Sequence, residues 1–100
     1  MNLVADWNSN ALIEKDLTIV NHLGLHARAA KKLVSTASAF ASDITVKRGN
    51  RSANGKSILG VMMLAASKGM EIRLCIDGND ETAAMAALEA LIADRFGEDE

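Results

Sequence analysis

Two hydrophobic periods alternate along this chain, and their order restricts the folds open to it more than any other feature. In residues 13–20, Leu17 and Ile19 stand against Asp16 and Thr18; in 70–76, Ile72, Leu74 and Ile76 stand against Glu71, Arg73 and Cys75. Residues 43–48 alternate in the same way. This is the period of half-buried strands. Between the first two of these segments, Ala30, Leu33, Val34, Ala37 and Phe40 recur at helical spacing, with Lys31, Lys32 and Ser38 off the stripe. Gly49 and Asn50 predict a turn that returns residues 51–54, RSAN, as a hairpin partner. Ser57 is a good N-cap and Gly69 a good C-terminal stop, which predicts a second helix over 57–68 that is apolar all round. Gly78 then turns the chain into a last helix capped by Asp80, with Ala84, Leu88, Leu91 and Ile92 on its buried face.

The order strand, helix, strand, strand, helix, strand, helix predicts an α+β domain. Every helix stripe needs an apolar surface, and strands with one polar face leave the other side of the sheet open to water. One antiparallel sheet with all helices on a single face meets both demands. The periods leave the strand order open.

At 100 residues and a formal net charge of −2, the chain is the size of one domain, residues 12–97, between an N-terminal extension, 1–11, and an acidic tail, 98–100. The lone Cys75 cannot close an intramolecular disulfide, so a reducing compartment, the cytoplasm, is expected. The opening MNLVADWNSN has no basic start or apolar core, and no stretch reaches the roughly 18 apolar residues of a membrane span. A mildly acidic chain with aromatics only at Trp7, Phe40 and Phe96 argues against nucleic acid as a partner.

The chemistry concentrates in NHLGLHARAA, residues 21–30. His26 stands where the first helix begins, and a helix start offers unpaired N–H groups and a partial positive charge to an anion such as phosphate. Ala27 and Arg28 supply such N–H groups. A neutral imidazole has the lone pair a nucleophile needs, and the Arg28 guanidinium adds a permanent cation for phosphate oxygens. Gly24 permits a tight approach before the helix. The bland alternative is a solvent-exposed capping histidine. His22 and His26 are four apart, but no third ligand stands near them, so no metal is expected.

A second constellation is NGKSILGVMML, residues 54–64. Gly55, Lys56 and Ser57 match the end of a P-loop, but that motif puts its first glycine where this chain has Asn50. Nucleotide hydrolysis is therefore rejected. What remains is a serine at a helix start followed by Ile58, Leu59, Val61, Met62, Met63 and Leu64, more apolar surface than a short helix buries, which suits partner docking. An ordinary capping serine over a buried helix is the alternative.

GLHARAA followed by NGKSILGVMMLAASKG resembles the HPr family, the histidine-containing phosphocarriers of the bacterial phosphoenolpyruvate-dependent phosphotransferase system, from about Leu12 to Phe96. The resemblance implies a two-layer open-faced sandwich, a four-stranded antiparallel sheet in the order 1-4-2-3 under three helices. It implies a carrier rather than an enzyme, monomeric and without cofactor, since phosphoenolpyruvate acts only through Enzyme I. Phosphorylated Enzyme I would load His26, Arg28 would stabilise the phosphoryl group, and an Enzyme IIA would take it. Partners would dock on Gly24, Lys56, Ile58, Leu59 and Met62. Ser57 matches the serine that HPr kinase/phosphorylase modifies in many bacteria. Ala29 where many sugar-branch carriers have proline, with MMLAASKG and the ending RFGEDE, resembles the nitrogen-related branch more closely. Two other classes remain: a regulatory module of the same fold acting through the Ser57 helix without phosphotransfer, and a small RNA-binding domain, disfavoured by the mixed charges of Asp16, Thr18, Glu71 and Arg73.

Overall fold

In the computed structural model, which describes residues 12–100, the elements follow the predicted order. They are β1 (Ile13–Thr18), α1 (Ala27–Ser38), β2 (Asp43–Arg48), β3 (Arg51–Asn54), α2 (Ile58–Met63), β4 (Glu71–Asp77) and α3 (Glu81–Ala93), closed by a 3-10 turn over Arg95–Gly97. The expected extension, residues 1–11, lies outside the described residues. All strand pairs are antiparallel and the order is β1-β4-β2-β3.

Register explains the two faces. Ile72, Leu74 and Ile76 of β4 oppose Leu17, Lys15 and Ile13 on one side, and Val46 and Ile44 oppose Leu74 and Ile76 on the other. This face meets Ala29, Ala30, Leu33, Val34 and Ala37 of α1 and Ala84, Met85, Leu88 and Ile92 of α3 in one continuous core. Met85 joins the expected stripe as a buried residue, while Leu91 packs against the core only partly buried. Lys15 falls on the same face, but β1 is an edge strand, and its ammonium reaches out to Glu89 on α3 at 2.9 Å. The other face is open and polar: Asp16 opposes Arg73 and accepts from its guanidinium at 2.8 and 3.2 Å. Cys75 is on this face too, yet buried, with its thiol 3.3 Å from a Glu14 carboxylate oxygen.

Three expectations need correction. The second helix stops at Met63 rather than Lys68, because Ala65 adopts a left-handed conformation (φ 52°). That turn redirects the chain so that Leu64 and Ala66 enter the core; Gly69 instead forms the turn into β4, donating to the Ile19 carbonyl. The first strand ends at Thr18 rather than Val20. Asp80 precedes α3 as expected but does not cap it: its carboxylate accepts from the N–H groups of Ala41 and Ser42 and from the Ser42 hydroxyl, tying the turn after α1 to α3.

Candidate functional site

α1 begins at Ala27 because His26 is extended (φ −71°, ψ 178°) while its carbonyl already accepts from the Ala30 N–H at 2.8 Å. His26 is thus the N-cap residue, yet its ring does not cap the helix. The N–H groups of Ala27, Arg28 and Ala29 precede the first intrahelical donor and have no acceptor within α1. Ala27 and Arg28 are exposed, and among the described residues the Arg28 guanidinium has no hydrogen-bond or ion-pair partner. Sequence reasoning placed His26, the helix-start amides and the Arg28 cation together, and the structure brings these groups to one helix end.

The segment leading to His26 is held on both sides. Gly24 is left-handed (φ 66°), and a Cβ there would meet the Ala66 carbonyl oxygen at 2.4 Å. Leu25 donates to that same carbonyl at 2.9 Å. The chain after α2 is therefore packed against the chain before α1. At the other end of α1, the Lys56 ammonium donates to the Phe40 carbonyl at 2.7 Å. α1 and α2 accordingly run antiparallel, and Lys56 and Ser57 lie at the end of α1 away from His26. Lys56 is not brought to the histidine.

The GKS sequence finds its reason in packing. A Cβ at Gly55 would come 2.6 Å from a methyl of Ile44, and the Gly55 N–H donates to the Ile44 carbonyl at 2.7 Å. Ser57 caps α2, its hydroxyl accepting from Gly60 N–H at 3.1 Å. Only Val61 within α2 is buried, whereas Leu59 and Met63 are each 68% exposed and Ile58 and Met62 also face outward. Leu23, 64% exposed, adds an apolar side chain beside Gly24. Leu23 was not among the expected docking residues, although it lies in the first motif; Met63 belongs to the apolar run expected to dock a partner, and it does face outward.

Glu98 was missed altogether. The acidic ending was expected to stand apart from the domain, but the Glu98 carboxylate reaches His26 Nε2 at 2.5 Å and accepts from the Asn21 side-chain amide at 3.0 Å. The His22 N–H donates to the Glu100 carbonyl at 2.9 Å. His22, Leu23, His26, Ala27, Arg28, Glu98 and Glu100 line one shallow pocket. The signal was Phe96-Gly97: a lone aromatic late in the chain that must be buried, followed by a residue suited to a chain reversal. Partial burial pushes the Glu98 carboxyl up, but hydrogen bonds from His26 and Asn21 outweigh it, and its pKa lies below the usual glutamate value. An ionised carboxylate can only accept, so the contact suits a ring that donates from Nε2. Nδ1 makes no hydrogen bond among the described residues. No group of three His, Cys, Asp or Glu side chains among those residues is arranged to hold a metal ion.

Comparison with known proteins gives consistent matches. The family model described as "PTS HPr component phosphorylation site" matches residues 13–94. The phosphocarrier protein HPr of Xylella fastidiosa is 54% identical over 88 residues, covering 88% of this chain and 99% of the relative. The phosphocarrier protein NPr of Shewanella violacea is 44% identical, covering 86% and 94%. Among solved structures, HPr-C-His from Thermoanaerobacter tengcongensis superposes with a TM-score of 0.85 at 44% identity, covering 88% of this chain and 99% of its own. HPr from Bacillus anthracis gives 0.79 at 35% identity, covering 83% and 99%.

Proposed function

The chain belongs to the HPr family of phosphotransferase-system phosphocarriers, and from that premise we propose that His26 accepts a phosphoryl group from phosphorylated Enzyme I and yields it to an Enzyme IIA. It is a carrier rather than an enzyme. The observation that carries the reading is the geometry at the start of α1: a part-exposed imidazole whose Nδ1, among the described residues, makes no hydrogen bond, beside helix-start amides with no acceptor in α1 and an Arg28 guanidinium with no partner among those residues.

The Nδ1 lone pair attacks phosphorus in line. The new N–P bond forms as the donor's bond to phosphorus breaks, and that bond's electron pair leaves with the donor. In the proposed step the ring reacts as the Nε2–H tautomer, so His26 loses no proton: Nδ1 carries none and Nε2 keeps its own. The amides of Ala27 and Arg28 and the Arg28 guanidinium face the developing charge, the helix supplying fixed dipoles and the arginine a mobile cation. The pocket is open, so the group stays accessible to the next nucleophile.

The exposed side chains of α2, Ile58, Leu59 and Met62, form the proposed docking surface of both partners; Gly24, expected to take part, is buried against Ala66 and only shapes the loop beside it, and Lys56, at the far end of α1, contributes to its edge. Ser57 is the proposed regulatory site for HPr kinase/phosphorylase: a phosphate there adds a charge of about −2 to this surface, which an acidic partner would repel. The second acceptor is proposed as an Enzyme IIA of the nitrogen-related branch, on Ala29 and the ending RFGEDE. The relatives' names, HPr and NPr, do not carry that distinction. The protein is proposed to act as a cytoplasmic monomer without cofactor; among the described residues no helix is long and apolar enough to cross a membrane.

The test is intact-mass spectrometry after incubation with phosphoenolpyruvate and catalytic Enzyme I. One acid-labile phosphoryl group on the wild type and none on His26→Ala supports the reading. A phosphoryl group that survives in His26→Ala overturns it and leaves the regulatory-module alternative. Transfer onward is then compared for sugar-branch and nitrogen-branch Enzyme IIA.

A further inference from the structure

The chain after α3 is built to return to His26. Arg95, Phe96 and Gly97 are all left-handed (φ 56°, 55° and 78°), a conformation that non-glycine residues adopt only where their surroundings hold them. Here they are held: Phe96 is fully buried, and its carbonyl accepts from the Lys32 ammonium on α1 at 2.6 Å. This reversal brings Glu98 against the imidazole, with its second oxygen on Asn21, which is itself fully buried and donates also to the Gly24 carbonyl at 2.8 Å. The carboxylate is thus bonded to the loop and the ring at once, and only 15% of its side chain is exposed.

We propose that Glu98 is a positioning residue for phosphotransfer, holding the His26 ring in the orientation and tautomer that present Nδ1 to the incoming phosphorus. The two nitrogens of a neutral imidazole are distinguished by the hydrogen bond that one of them makes, and a carboxylate on one N–H leaves the other nitrogen as the nucleophile. Once Nδ1 bears the phosphoryl group and Nε2 keeps its proton, the ring is cationic, and the same carboxylate becomes its counter-ion. When the group leaves, the N–P electron pair returns to Nδ1 and the starting hydrogen bond is restored. Glu98 gains and loses no proton in either direction. Lys32, Asn21 and Phe96 act on the ring only through Glu98.

This inference rests on His26 being the acceptor, and the experiment separates the two. The unphosphorylated protein is first read by nitrogen NMR: the His26 Nε2–H resonance is expected as a downfield, slowly exchanging signal, present in the wild type and absent from Glu98→Ala. Single-turnover transfer from pre-phosphorylated Enzyme I is then followed by rapid quench over a range of carrier concentrations. Loss of a hydrogen-bonding partner behind a reacting histidine is expected to lower the saturating rate by about tenfold in Glu98→Ala, with the half-saturating concentration unchanged. Glu98→Gln keeps the tail's length and an acceptor oxygen, so it should retain the N–H signal and lose less rate.

The role of Glu98 is overturned if both variants transfer as fast as the wild type, if the change is confined to the half-saturating concentration, or if the wild-type ring carries its proton on Nδ1. Failure of the wild type itself to accept a phosphoryl group overturns the carrier reading, and the role of Glu98 with it.

Discussion

Gly24 has almost no freedom to vary. Its left-handed φ is strained for any other residue, and an added Cβ overlaps the Ala66 carbonyl oxygen. Gly24→Ala is expected to destabilise the fold by roughly 1–3 kcal/mol from backbone strain alone, with the overlap adding to that, as a lowered urea midpoint would report. Because Leu25 is bonded to the same carbonyl, the shift should also broaden the His26 environment in NMR spectra. Arg28 is the opposite case. Its side chain has no partner among the described residues, so Arg28→Ala should leave the urea midpoint unchanged while slowing acceptance from Enzyme I. The loss expected is that of a charge-assisted hydrogen bond, about 1.5–3 kcal/mol, or on the order of tenfold to a hundredfold in rate. A slower rate with a lowered urea midpoint would instead make Arg28 a structural residue.

α2 has six residues, too few to be stable by its own hydrogen bonds, so its cap and its single buried side chain, Val61, matter more than in a longer helix. Ser57→Ala removes the acceptor of the Gly60 N–H and is expected to cost about 1 kcal/mol in chemical denaturation. Ser57→Asp keeps a capping oxygen and adds charge; the urea midpoint should stay close to that of the wild type while transfer from Enzyme I slows. Leu59→Glu tests the docking face without touching the core, since Leu59 is 68% exposed. A raised half-saturating concentration at unchanged stability is expected, and an unchanged one would remove Leu59 from the interface.

At the scale of the whole molecule, the ends of the elements are tied across the fold by two carboxylates. The Ser42 hydroxyl and the Ala41 and Ser42 amides hold Asp80 below the ordinary carboxylate range, as the contacts of Glu98 hold Glu98. A carboxylate depressed in the folded state contributes stability above its unfolded pKa, near 4, that is lost as pH falls through the folded value. The urea midpoint should therefore decline below about pH 4, and Asp80→Asn should be less stable at neutral pH with a shallower decline. The layer architecture was legible in the sequence because the two periods are strong: Ile72, Leu74 and Ile76 could face only one way. His26, Ala27, Arg28 and Ser57 were legible because they are local to helix starts. The short span of α2 was not, since nothing in Ala65 announces a left-handed turn, which is fixed by Leu64 and Ala66 entering the core. Glu98 was not either, because its contact with His26 spans 72 positions and depends on the reversal at residues 95–97. The most direct measurement is a long-range nitrogen–phosphorus NMR experiment on the protein phosphorylated by Enzyme I. The account predicts one phosphoryl group on Nδ1 of His26 with the proton still on Nε2. Phosphorus on Nε2, on His22 or on Ser57 would contradict it.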